Sequence, residues 1–418
     1  MEDSKTINIR VIIALTFVHF LGDFYSSFIN PLIPVFVNKF SLTLTQVGLI
    51  AGLSRFLAFI VQPSVGYVAD RYRTGFFVLG GPLLAIIFIS LVGIAPSFAF
   101  LIIFISLGSI GSSMFHPTVA GMIYTYAGRR FGLCMSIFNM GGTLAFAVGP
   151  LFITFFVSTY RLEASPYIML FGLAAMPLLI KVVPHPKGEG LKSHGLIKSI
   201  REALGSAWKS IVVIWVVMVL RAFVSQSCLV FVPVLYAKKG YTLTSIGWIV
   251  SLFVVGGVIS GLIAGNLSDK IGYKPVFYFS HTLAVPCIYL LLFLPGNWIY
   301  LTTFLTGFFI LATMPLGVAM AQELAPRGRS MVSSLMMGLA FGTGGMMTVI
   351  TGKMADIFSI REVLCVLAII PLFTIVLIYL FPEKSVITRL KTGRLSENGF
   401  VARSSANFEG KATRPKRP

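Results

Sequence analysis

Twelve long apolar runs separated by short polar or basic stretches dominate the chain, at residues 9–37, 46–67, 76–95, 98–126, 133–157, 166–183, 211–236, 245–267, 276–294, 298–323, 331–354 and 363–381. A helix needs about 20 apolar residues to cross roughly 30 Å of hydrocarbon. Backbone polar groups in lipid must also be paired within the spanning structure, which leaves helices or closed barrels. The alternating ten-residue segments of a barrel are absent, so the pattern predicts an all-α polytopic membrane protein. With 56% hydrophobic and 11% charged residues in 418, the chain falls far short of the charged quarter typical of soluble domains. That excludes a soluble enzyme built around one large core. The first run carries His19 and Asp23 and lacks a small-residue cleavage site, so it is expected to remain as a span and not to be removed as a signal.

The net charge of +19 would suggest nucleic-acid binding in a soluble protein, but the positions of the charges point to orientation instead. Sixteen Lys and Arg, among them Arg10, Arg71, Arg130, Lys181, Lys270 and Arg327, fall on one side of the alternating spans; six, Lys39, Arg161, Lys238, Lys239, Lys353 and Arg361, fall on the other; nine more lie in the tail. Basic loops stay cytoplasmic, so both termini are expected in the cytoplasm of a cell (plasma or inner) membrane, with the lipid bilayer as partner and no nucleic acid. The longest polar loop, 184–210, carries a short amphipathic pattern at Leu196, Ile197, Ile200 and Leu204. It separates an N-terminal six-helix bundle, 1–183, from a C-terminal one, 211–382. The basic tail, 383–418, has the composition of a disordered segment. Cys134, Cys228, Cys287 and Cys365 all sit in apolar stretches and read as buried small hydrophobes.

An internal repeat emerges when 199 is added to residue numbers in the first half. Pro34 maps to Pro233, Thr43-Leu44-Thr45 to Thr242-Leu243-Thr244, Gly48 to Gly247, Gly66 to Gly265 and Asp70 to Asp269. Duplicated halves are a transporter architecture in which the substrate site lies at the repeat interface near the midplane.

The repeated segment ends in Gly66-Tyr-Val-Ala-Asp70-Arg71-Tyr-Arg73 and again in Gly265-Asn-Leu-Ser-Asp269-Lys270-Ile-Gly272. This resembles the loop motif of the major facilitator superfamily, although Arg73 replaces the usual second glycine in the first copy. The resemblance implies twelve helices in two pseudo-symmetric bundles, and a gating role for Gly66, Asp70, Arg71, Gly265, Asp269 and Lys270. Gly141-Gly142 and Gly149-Pro150 in the fifth span look like the Gly-Pro motif of the superfamily's proton-coupled exporters. Small residues there would also let helices pack closely, and Pro150 would bend the helix. His19-Phe-Leu-Gly-Asp23-Phe-Tyr-Ser26-Ser27 and Gly111-Ser-Ser-Met-Phe115-His116-Pro117 resemble the fosmidomycin-resistance branch, whose members look like proton-driven efflux proteins.

Ionisable groups in hydrocarbon are costly and therefore functional candidates. Asp23, Arg55 and Arg221 are the charged ones, with His19, His116 and His281 as titratable neutrals. His19, Asp23, Ser26, Ser27 and Asn30 recur at helical spacing and form one polar stripe, as do Ser109, Ser112 and His116, and Arg221, Ser225 and Cys228. Asp23 is read either as the proton-coupling carboxylate, with His19 sharing its proton, or as a static partner of Arg55. Arg55 and Arg221, with His116, Ser27 and Asn30, are read as substrate contacts, since guanidinium forks suit carboxylate or phosphonate. His116 before Pro117 and His281 also have structural readings as hydrogen-bonding side chains.

Metal clusters, a phosphate-binding glycine loop and a hydrolytic triad are missing from the sequence. The expectation is a secondary transporter, not an enzyme, with no cofactor or metal. It is expected to be a monomer exchanging protons for a small anionic or zwitterionic organic compound. Uptake symport or anion exchange on the same scaffold is the alternative, and a non-transporting receptor with the tail as output is a further one.

Overall fold

The computed structural model describes residues 7–71, 75–128, 130–184, 207–325, 332 and 335–383. The amphipathic pattern at 196–204, Arg73 and the tail beyond Glu383 lie outside the described residues, as do the side chains of Gly66, Asp70 and Arg71. Among the described residues there are twelve helical stretches long and apolar enough to cross a membrane. Each begins and ends within four residues of the run expected from hydropathy.

The helices are α1 (Ile9–Ser26), α2 (Ile29–Phe40), α3 (Leu44–Arg71), α4 (Phe76–Ser90), α5 (Phe98–Tyr126), α6 (Phe131–Tyr160), α7 (Met169–Val182), α8 (Trp208–Lys238), α9 (Leu243–Ile271), α10 (Tyr273–Phe293), α11 (Trp298–Leu311), α12 (Met314–Leu324), α13 (Ala340–Met346), α14 (Thr348–Ile357), α15 (Ile360–Leu367) and α16 (Ile370–Tyr379). A π-helical turn, Leu335–Leu339, precedes α13.

Four spans are divided between two α-helices, at residues 27–28, 312–313, 347 and 368–369, and proline accounts for three of these breaks. A proline lacks an N–H and its ring clashes with the carbonyl four residues earlier. Pro31 does this to Ser27, just after α1 ends; Pro315 to Leu311, the last residue of α11; and Pro371 to Leu367, the last residue of α15. The first break interrupts the polar stripe expected to run from His19 to Asn30. His19, Asp23 and Ser26 stay on α1, whereas Asn30 belongs to α2.

Packing divides the chain into two units. The first comprises Met1–Lys192, Gln226–Val255 and Gly345–Leu364; the second comprises Ser193–Ser225, Gly256–Gly344 and Cys365–Pro418. Segments from both sequence halves therefore share the first unit. Gly48 on α3 admits the backbone of Thr348 on α14, where any side chain at 48 would collide, and Thr348 Oγ1 donates to the Gly48 carbonyl at 2.9 Å. Gly247 on α9 likewise meets Thr154 and the Pro150 carbonyl on α6, and Ser251 Oγ donates to the Ala147 carbonyl. In the second unit, Gly256 of α9 fits against the Phe304 backbone of α11, and Gly317 of α12 against Met218 of α8. All four cysteines are free thiols.

Candidate functional site

Within the first unit α1 lies between α5 and α6. Gly22 gives room to the Phe115 ring, and Gly142 leaves space that a side chain would take from His19 and Asp23. Tyr25 fixes the rotation of α1, donating to the Ile168 carbonyl at 2.7 Å and accepting from the Gly172 N–H of α7 at 2.9 Å. So placed, α1 turns His19 and Asp23, one helical turn apart, into the interior, where they are 7% and 4% exposed. His19 Nε2 sits 3.1 Å from Asp23 Oδ2. His116 of α5 places its Nε2 3.3 Å from Asp23 Oδ1. The two imidazoles face each other edge to face at 5.1 Å.

The other nitrogen of each ring is committed. His19 Nδ1 contacts the Phe138 carbonyl at 2.9 Å, and His116 Nδ1 contacts the Ser112 carbonyl at 2.7 Å. A backbone carbonyl only accepts, so both Nδ1 atoms carry hydrogen. If both rings were neutral and Asp23 ionised, two bare Nε2 lone pairs would face two carboxylate oxygens. Each N···O contact needs one proton. Fully hydrogen-bonded, the cluster holds two protons beyond that reference state and carries +1; with one proton it is neutral and one contact is unsatisfied. The three ligand atoms lie within 4.8 Å of one another, so the convergence suits protons or a single divalent cation.

Arg55 of α3 makes no ion pair with Asp23, whose oxygens are taken by the histidines. The aliphatic stem of Arg55 packs where Gly345 has no side chain. His116, expected to meet substrate, is instead held by Asp23 and its own helix. The carbonyl it bonds is that of Ser112, not the Ser113 carbonyl that Pro117 leaves free. Ser27 Oγ donates to the Phe24 carbonyl at 2.6 Å and packs against Gly149, so Ser27 belongs to the α1–α6 contact. Asn30 is half-buried on α2. Gly141, Gly142 and Gly149 all face α1, at Thr16, His19 and Ser27.

Arg221 lies in the second unit, two residues from the middle of the span Trp208–Lys238. It is 2% exposed. Nη1 reaches the Ile310 carbonyl at 3.4 Å, and the Phe341 ring lies 4.9 Å from the guanidinium carbon. Nε and Nη2 are buried with no hydrogen-bond partner among the described residues. His281 is held by hydroxyls. Thr374 Oγ1 donates to the Pro371 carbonyl at 2.6 Å, so it accepts from His281 Nδ1 at 2.6 Å; the Thr313 hydroxyl then donates to Nε2 at 3.2 Å. Both ring nitrogens are thereby engaged.

Gly66, Asp70 and Arg71 fall in the final turns of α3, and Gly265, Asp269 and Lys270 in those of α9, so both motifs are helical where a loop was expected. Nothing lies within 4 Å of the position a side chain would take at Gly265. Gly272, at φ +90°, ends the second copy and starts α10.

Among the charged contacts that sequence reading missed is a helix cap. Asp356 of α14 accepts from the Leu44 and Thr45 N–H groups at 2.7 and 2.8 Å and from Thr45 Oγ1 at 2.6 Å. It caps α3 from more than 300 residues away. The repeat offered a hint: Thr244, the counterpart of Thr45, meets Ser158 at 3.4 Å. At the repeat offset of 199, Ser158 falls one residue from the equivalent of Asp356, so the two contacts lie at corresponding helix ends without matching residue for residue.

The model of the Major Facilitator Superfamily matches residues 15–243 and 214–413. The Escherichia coli (strain K12) Fosmidomycin resistance protein is 28% identical over 372 residues, 88% of this chain and 91% of that one. An uncharacterized MFS-type transporter of Bacillus subtilis (strain 168), YfnC, is 26% identical over 380 residues, 89% and 93% of the two chains. Two solved structures share the fold. A bacterial homologue of the human lysosomal transporter Spinster, inward-facing and occupied, has a TM-score of 0.73 at 16% identity, covering 88% of this chain and 96% of that one. The nucleoside transporter NupG has 0.70 at 12%, covering 91% and 98%. With its twelve apolar helical spans and this match along both halves, the chain belongs to the Major Facilitator Superfamily and is a multi-pass membrane transporter of a small molecule, not an enzyme.

Proposed function

We propose that this transporter is a monomeric proton antiporter of the cell membrane, exporting a small anionic or zwitterionic organic compound, with both termini in the cytoplasm. The observation that carries the reading is the pair of imidazoles, each with Nδ1 tied to a backbone carbonyl and Nε2 aimed at the one carboxylate of Asp23. A buried site that needs one proton per contact is a proton store, and its charge changes between 0 and +1 as one proton leaves. Asp23 and His19 carry the exchanged proton and His116 completes the site. The change in charge alters the attraction that the cluster and Arg55 together exert on an anion, which couples the two ligands. Arg55, Asn30 and Arg221 are the substrate contacts. The halves 1–183 and 211–382 alternate access about the linker 184–210, and the Gly66–Arg71 and Gly265–Lys270 segments serve as gate elements. Export is supported by the relative named for fosmidomycin resistance.

Expression in a fosmidomycin-sensitive bacterial strain tests direction and coupling together. The wild type is expected to raise the inhibitory concentration at least about fourfold, and Asp23→Asn at equal membrane abundance to return it to the vector level. Increased sensitivity with wild type would support uptake instead. Resistance that survives Asp23→Asn and is lost on dissipating the proton gradient would move coupling away from this cluster.

A further inference from the structure

An uncompensated guanidinium in the middle of a span is costly, and Arg221 forms no ion pair among the described residues. What distinguishes it is which atoms are left over. Nη1 is the nitrogen on the side of Cδ, and it is the one that reaches Ile310 O. Nε and Nη2, the two without partners, lie on the opposite edge, where their N–H bonds run parallel. That is the edge a guanidinium uses to grip two oxygens of one planar or tetrahedral centre. A halide or a neutral carbonyl satisfies only one of the two.

The surroundings narrow the ligand further. The space beside Arg221 is lined by Leu220, Ala284, Ile370 and Pro371 and by two polar side chains, His281 and Thr374, the latter with its hydroxyl donated to the Pro371 carbonyl. His281 has no hydrogen left to offer, since Nδ1 donates to Thr374 and Nε2 accepts from Thr313. One fork in an apolar wall matches one oxyanion head on an apolar body. The Phe341 ring lies 4.9 Å from the guanidinium carbon, within cation–π range.

We propose that the Nε/Nη2 edge of Arg221 is the receptor for the oxyanion group of the substrate, a carboxylate or phosphonate on an apolar carbon skeleton, admitted when the helices around Arg221 part. The proposal rests on the transporter reading and names its substrate class; it is independent of proton coupling, so its test uses no gradient.

Thermal unfolding of the purified full chain in detergent is followed at fixed pH with chloride as the only small anion. Benzoate and phenylphosphonate are expected to raise the wild-type Tm by about 2 °C or more, while benzyl alcohol and benzylammonium leave it unchanged. Arg221→Lys, which keeps the charge and loses the fork, should show no shift. Arg221→Met removes an unpaired buried charge, so without added oxyanion its Tm should equal or exceed that of wild type, and oxyanions should not move it. A wild type that ignores both oxyanions, an equal shift in Arg221→Lys, or an Arg221→Met chain that is less stable than wild type or does not fold would each overturn the proposal. In the last case the guanidinium would be a strut for Ile310 and Phe341. None of these outcomes bears on Asp23.

Discussion

His116 Nε2 and Asp23 Oδ1 meet at 3.3 Å across the α5–α1 contact, on the side of the carboxylate opposite His19. A carboxylate gripped from both sides by rings whose other nitrogens are already bonded has no slack. Any proton placed on one of the three groups is therefore shared through these two contacts. Arg55, the counter-ion suggested by sequence, forms no ion pair with this carboxylate.

Gly142 sets the distance between α6 and the cluster. A methyl built there would overlap His19 Nε2 and stand 2.8 Å from Asp23 Oδ2. Gly142→Ala should therefore push His19 off the carboxylate, costing about 1–3 kcal/mol by overpacking and lowering proton-coupled flux at least about tenfold. Initial rates normalised to folded protein check this. A rate within twofold of wild type would mean that the His19 contact is dispensable.

Asp356 makes three hydrogen bonds to the first turn of α3. Loss of a capping side chain typically costs about 0.5–2 kcal/mol, so Asp356→Ala should lower stability by an amount in that range. Thr45→Val, which removes one of the three bonds, should cost less. In a double-mutant cycle the pair should be non-additive, because the Thr45 hydroxyl loses its acceptor when Asp356 is gone. Denaturation midpoints of the four proteins provide the measurement, and strict additivity would break the assignment.

The spans were legible because about 20 apolar residues leave a chain few alternatives; the breaks ahead of Pro31, Pro315 and Pro371 were not read, and the stripe from His19 to Asn30 was expected unbroken, although proline sets such breaks at a fixed offset. His19 and Asp23 were legible as one turn of a helix. Their joining to His116 was not, because a stripe gives a face and not its partner, and Asp23 was equally consistent with Arg55. Arg221 was visible as a charge in hydrocarbon; which edge of its guanidinium is free depends on Ile310 and Phe341, about 90 and 120 residues further along. The Asp356 cap joins residues more than 300 apart, and no local periodicity encodes that. The grouping of Gln226–Val255 and Gly345–Leu364 with the first half has the same origin, in glycine-lined contacts such as Gly48–Thr348 whose partners are set by tertiary packing.

His281 links Thr374 and Thr313, one hydroxyl accepting from it and the other donating to it. His281→Leu leaves both without that partner and should cost about 1–3 kcal/mol. His281→Gln, which offers a donor and an acceptor on a side chain of similar reach, should recover part of the loss. Chemical denaturation of the three proteins reads the order; equal stability of the Leu and Gln variants would show that the ring contributes by packing alone.

Proton movement itself bears most directly on the cluster. In proteoliposomes holding a pH-sensitive dye, addition on one side of an anionic compound against which the expressed protein gives resistance should drive a luminal pH change with wild type. With Asp23→Asn the change should be at least about tenfold slower, while exchange of labelled for unlabelled compound persists. A pH change at the wild-type rate in Asp23→Asn would contradict the account, because the two imidazoles would then be moving protons without the carboxylate that they share.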